Sequence, residues 1–196
     1  MKKIDLILMV VVGCLFSGQL WAQSYQWGVG LRAGDPTGLS VKRFMGSKAL
    51  EFNIGQTHLW GYNAVREFER DYDDYRYLDS RFKSATSLQV RYLSFKPIEI
   101  EGRDKLSWYA GIGGQLRSTS VDYRYRYWVG PRNDDWRERW EAVNDIDLGV
   151  DFIGGLDFTF HDIPLSIFTD INLFVELIDS PLFLRLQGGG GVRYNF

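Results

Sequence analysis

The chain has 196 residues, 45 % hydrophobic and 16 % aromatic, with 21 glycines and only five prolines, which suits one β-rich domain with tight packing. Its formal net charge of −2 becomes −3 once Lys2, Lys3 and Asp5 are set aside, too mild a balance for a nucleic-acid partner. A single cysteine, Cys14, excludes a disulfide framework.

The N-terminus runs Met1-Lys2-Lys3, an apolar stretch from Leu6 to Phe16, then Ser17-Gly18-Gln19-Leu20-Trp21-Ala22. That charged, apolar and small-residue order is an export signal. Residues 1–22 are therefore expected to be a cleavable signal peptide, with Leu20 and Ala22 before the cut, and 23–196 the mature domain. Val11-Val12-Gly13-Cys14 also resembles a lipobox, but cleavage there would leave a very short apolar run with Leu15-Phe16 behind it. After Ala22 no stretch of about 18 uncharged apolar residues remains, so a helical inner-membrane protein is excluded.

Downstream the pattern is period two, broken by turn residues. Strand one, 25–34, sets Trp27, Val29 and Leu31 against Gly28, Gly30 and Arg32; Asp35-Pro36-Thr37 ends it. Strand two, 38–44, sets Leu39 and Val41 against Ser40 and Lys42. Met45-Gly46-Ser47-Lys48 turns into strand three, 49–58, with Phe52 and Ile54 opposing Glu51 and Asn53. Strand four covers 87–95 and strand five 106–117. Strand six, 146–160, is the clearest, with only Ile153 out of pattern. Strand seven runs through Leu165, Ile171 and Val175, and strand eight covers 184–196.

Eight such strands also describe a secreted lipocalin-like barrel with an apolar interior. The polar face decides between them, because it mixes long charged side chains with Gly28, Gly30, Gly55, Gly111, Gly149 and Gly189. Glycine packs nothing on a solvated face but makes room inside a narrow eight-stranded barrel, so the charged face is expected inside and the apolar face towards lipid. Loop parity agrees: the two longest connections, 59–86 and 118–145, follow strands three and five, on the side expected to be extracellular. Tyr25, Trp27, Phe95, Trp108, Phe158, Phe160, Tyr194 and Phe196 would form a girdle at the periplasmic rim.

The ending Gly191-Val192-Arg193-Tyr194-Asn195-Phe196 resembles the C-terminal signature strand of outer-membrane proteins. The stretch from Gly30-Leu31-Arg32-Ala33-Gly34 to Gly38-Leu39-Ser40-Val41-Lys42 resembles small eight-stranded outer-membrane β-barrels of the OmpA/OmpX type common in Bacteroidota. The resemblance implies an all-β, eight-stranded antiparallel up-and-down transmembrane barrel with two long extracellular loops. It also implies that Val192, Tyr194 and Phe196 form an assembly signal read by the barrel-assembly machinery, with no catalytic residues carried over.

Inward charges change sign from strand to strand through Lys42, Glu51, Arg91, Arg117, Asp147, Asp151, Asp157, Asp170, Glu176, Arg185 and Arg193. Buried charges need partners, so a salt-bridge network plugging the lumen is expected, with Lys42 facing Glu51 across the 45–48 turn; a proton or ion path is the alternative. His58, Asp79 and Ser80, near the outer rim, resemble residues of lipid A palmitoyltransferase, although no long apolar lumen for an acyl chain is evident. The long connections hold Trp60, Tyr62, Phe68, Tyr72, Tyr75 and Tyr77 in one and Tyr123, Tyr125, Tyr127, Trp128, Trp136 and Trp140 in the other. These read as aromatic staples between the connections, or as a ledge for an extracellular ligand. Asp71, Asp73 and Asp74 lack the rest of a calcium loop and two histidines make a poor zinc set, so neither metal nor cofactor is expected. The chain thus reads as an integral outer-membrane barrel, in contact with lipid and lipopolysaccharide, serving envelope structure or surface contact. A lipid A modifying enzyme or a narrow channel is the alternative.

Overall fold

Each alternating segment is a strand in the computed structural model, which describes residues 25–57, 64–72, 75–99, 101, 105–130, 136–178 and 182–196. The expected signal peptide lies outside those residues. The strands are β1 (Trp27–Gly34), β2 (Thr37–Met45), β3 (Lys48–Gln56), β4 (Arg76–Ile98), β5 (Lys105–Trp128), β6 (Trp136–Thr159), β7 (Leu165–Glu176) and β8 (Leu184–Asn195). Each pairs antiparallel with the next, and β8 returns to β1, so the sheet closes into an eight-stranded up-and-down barrel. One helix, α1 (Ala64–Asp71), lies between β3 and β4 among the described residues.

Turn chemistry sets the register. Gly46 takes φ +66 in the two-residue Gly46-Ser47 turn, the left-handed conformation that a tight hairpin needs at its first position. That turn pairs Met45 with Lys48 and hence Lys42 with Glu51, as expected.

The barrel is inverted relative to a water-soluble protein. Its outer wall is apolar, with Leu31, Ile171 and Leu186 exposed at 67 %, 65 % and 75 %, while Lys42, Glu51, Arg91, Arg117 and Arg193 are fully enclosed. The lumen glycines provide the space the sequence implies. A Cβ at Gly155 would stand 2.5 Å from the Tyr109 ring, one at Gly149 2.5 Å from the Phe174 ring, and one at Gly189 2.7 Å from a nitrogen of Arg32.

Three strands outrun the others. β4, β5 and β6 have 23, 24 and 24 residues against 8 in β1 and 9 in β2. Most of the two long connections is therefore ordered: 76–86, 118–128 and 136–145 continue the barrel strands as a three-stranded extension. Pairing with β3 begins only at Thr86 and pairing with β7 only at Gly149. Among the described residues no strand therefore flanks the extension outside 76–81 or outside 136–144.

Candidate functional site

The interior charges are assembled by the ladder itself. One continuous register links Lys42, Glu51 and Arg91 on β2, β3 and β4, then passes Gly113 to Asp151 on β6 and Phe174 to Arg185 on β8. Glu51 is the hub: Arg193 Nη2 donates to it at 2.6 Å, with Lys42 Nζ at 3.5 Å and Arg91 Nη1 at 3.6 Å. Asp157 accepts from Lys42 Nζ at 2.9 Å and lies 3.6 Å from Arg193 Nη1. Asp170 takes both terminal nitrogens of Arg32 at 2.6 Å each, with Arg91 at 3.4 Å and the Tyr109 hydroxyl at 3.2 Å. Three carboxylates and four cations therefore form one connected network, its groups enclosed enough that each partner matters to the others.

Six of the eleven expected lumen charges belong to this network: Lys42, Glu51, Arg91, Asp157, Asp170 and Arg193. The other five, Arg117, Asp147, Asp151, Glu176 and Arg185, are also buried inside the barrel. Arg117 Nε stands 3.9 Å from Asp147, and Asp151 accepts from Asn172 at 3.0 Å, which in turn donates to Gln187. Towards the extended end Gln187 donates to Asp35, which also accepts from Thr57, tying the β1–β2 turn to β3 and β8.

Sequence reasoning left out Arg32 and the inward aromatics. Arg32 shares the face of Gly28 and Gly30, and that parity was the available signal. Phe95 is a correction: it does not join the outer girdle but points inward, its ring 5.0 Å from Tyr109 and 4.8 Å from Lys42 Nζ. Its parity on β4 matches Arg91 and Leu93. Phe168 is inward for the same reason, under Arg193 at 3.4 Å, while Tyr194 and Phe196 keep the outward-facing places expected of them.

The extension forms the second cluster. Phe68 of α1, with no solvent exposure, sits among Tyr72, Tyr77, Tyr123 and Tyr125 at ring separations of 4.8 to 5.6 Å. α1 therefore covers the face of β5 that continues the lumen, and the two connections are stapled together as expected. Trp60 and Tyr62 lie outside the described residues. The Tyr125 hydroxyl donates to Glu141, and burial with that carboxylate pushes the phenol up to about 12. Phe68→Ala is expected to cost about 3–5 kcal/mol of local order. The check is hydrogen exchange, with faster exchange in 118–128 and 136–145 and unchanged protection in β7 and β8.

Of the three candidate rim residues, Asp79 and Ser80 are among the described ones. Asp79 Oδ1 accepts from the backbone N–H of Ser80, and Ser80 Oγ accepts from the Tyr77 hydroxyl, so neither activates the other. His58, Asp73 and Asp74 lie outside the described residues, as does the side chain of Asp71. Among the described residues no group of three His, Cys, Asp or Glu side chains could hold a metal ion. The chain matches no protein-family model and no curated protein.

Proposed function

We propose that this chain is an integral outer-membrane barrel with a closed lumen, whose protruding sheet makes contacts at the cell surface. The observation that carries the reading is the inversion of the wall. Exposed leucines and isoleucines surround a barrel whose lumen holds buried Arg32, Arg91, Arg117 and Arg193, an arrangement favourable where the outer solvent is hydrocarbon. Closure supports it further, because a spanning sheet with a free edge would leave backbone groups unsatisfied in lipid.

The plug rests on enclosure. A water-filled pore exposes its lining, yet Arg91, Arg193, Tyr109 and Glu51 are inaccessible across the waist of the barrel. Surface contact rests on the flanks of the extension, since backbone N–H and C=O groups along 136–144, which no strand flanks on that side among the described residues, are a template for a partner strand. In detergent, the purified protein is expected to run at different gel mobilities before and after heating, and to give no steady open-pore conductance in planar bilayers. A detergent-free soluble monomer would overturn the membrane reading; steady conductance would overturn the plug alone. Lipid A from cells with and without the gene is expected to give the same mass spectrum, and a one-chain difference would favour the enzyme alternative.

A further inference from the structure

The outward face of the extension continues the outward face of the barrel wall, and its character changes in bands. On β5, Ile112 and Leu116 give way to Ser118 and Ser120, then to Asp122, which Lys83 neutralises, and then to Arg124, Arg126 and Trp128. On the paired β6, Leu148 and Ile146 give way to Asn144, then to Trp140, Glu138 and Trp136. Apolar, neutral polar and cationic–aromatic zones thus follow one another on one unbroken surface.

The uppermost band is built around Trp140. Its indole has Arg81 at 4.7 Å and Arg124 at 5.8 Å from the ring centre, which holds both guanidinia in place while leaving Trp140 43 % exposed. Arg124 and Arg126 both donate to Glu138, whose carboxyl they hold below the usual range. Lys83 pairs with Asp122 at 2.8 Å. Arg81 has no carboxylate against it among the described residues. With Arg76 and Asp79 the face carries five cations against three carboxylates.

We infer that this face binds a lipopolysaccharide molecule of the surrounding leaflet, with its acyl chains on the apolar wall and its phosphorylated core sugars on the Arg81–Trp140–Arg124 ledge. The inference rests on the membrane reading above. Guanidinia meet phosphate oxygens in forked, charge-assisted pairs, and exposed indoles offer flat faces to sugar rings. Distance selects the headgroup. The apolar band ends at Ile146, opposite Ser118, six residues below the Trp140–Arg124 pair, roughly 20 Å along the strands at about 3.3 Å per residue, beyond the reach of a glycerophosphate headgroup and within that of an oligosaccharide.

The test uses the full mature protein in detergent micelles, with binding read by native mass spectrometry. The probes are lipopolysaccharide with a phosphorylated core, lipid A without core sugars, phosphatidylglycerol, and the core oligosaccharide freed of its acyl chains. The intact molecule is expected to bind best, and Arg81→Ala with Trp140→Ala to weaken it roughly tenfold, as loss of contacts worth about 1.4 kcal/mol would. Lipid A binding is expected to stay as in the wild type. Equal binding of intact lipopolysaccharide to wild type and variant, or of lipid A and intact lipopolysaccharide to the wild type, overturns the inference. Equal binding of the free oligosaccharide makes the ledge a soluble-glycan site and overturns it too. Heat-modifiable mobility of both proteins is checked first, so that a failed membrane reading is recognised separately.

Discussion

Glu51→Gln is expected to be among the most destabilising single changes in the barrel, lowering stability by about 3–5 kcal/mol, the cost of breaking a buried ion pair by removing one partner. The side chain keeps its shape, so packing is preserved and charge alone is removed. Lys42, Arg91 and Arg193 all face Glu51, leaving four enclosed cations to share Asp157 and Asp170. The measurement is the urea midpoint of the heat-modifiable form in micelles. A shift equal to that of Asp122→Asn, whose side chain is outside the barrel, would mean that the interior charges are solvated and not paired. Exchanging Lys42 and Glu51 is a sharper probe. Were they an isolated pair, the exchange would restore stability; in this network it places a lysine beside Arg193 and Arg91 and a glutamate beside Asp157. The double variant is therefore expected to be no more stable than either single one.

On the proposed outer-membrane reading, deleting Phe196 is expected to reduce the folded, heat-modifiable form in that membrane severalfold and to leave unfolded chain in the periplasm. The backbone of Phe196 accepts from the N–H groups of Gln26 and Trp27 at 3.0 and 2.9 Å and donates to the Trp27 carbonyl at 2.8 Å. It therefore ends the β1–β8 seam, where an unpaired edge in lipid costs several kcal/mol per orphaned group. Replacing Tyr194 and Phe196 with serine preserves those bonds and tests the outward rings that the resemblance assigns to assembly. His161→Ala, in the β6–β7 turn, is the control expected to leave assembly unchanged. Wild-type amounts and rates for the deletion would remove the C-terminal strand from any role in assembly.

The inside-to-outside order of the barrel was legible because strand parity is binary: once glycine and charge mark one face as interior, Lys42, Glu51 and Arg193 follow together. Arg32 was equally legible by parity, and only its bidentate link to Asp170 required three dimensions, since β1 and β7 are separated by β8 and the link passes over Gly189. Phe95, Phe168 and Phe174 share the inward parity of Arg91, Asp170 and Asn172, so alternation places them in the lumen and only the expectation that rings face lipid ran against it. Their places depend on glycines of neighbouring strands, such as Gly149 beside Phe174 and Gly191 beside Phe168. α1 was hidden for another reason. Its apolar signal is little more than Val65, Phe68 and Tyr72, and its stability comes from tyrosines on β5 more than 50 residues later.

The unequal strand lengths also have a mechanical side. At about 3.3 Å per residue β5 is roughly 80 Å long, and the β5–β6 ladder runs without a bulge from the Lys105–Thr159 pair to the Trp128–Trp136 hairpin end. A pull on the tip therefore travels down unbroken strands into the wall and loads their hydrogen bonds in shear, many at once. No hinge interrupts that path on β5 or β6. β4 is different: its register shifts between Tyr77 and Asp79 and again between Phe82 and Ser84 give the extension one compliant side, on which it can bend before the barrel feels the load.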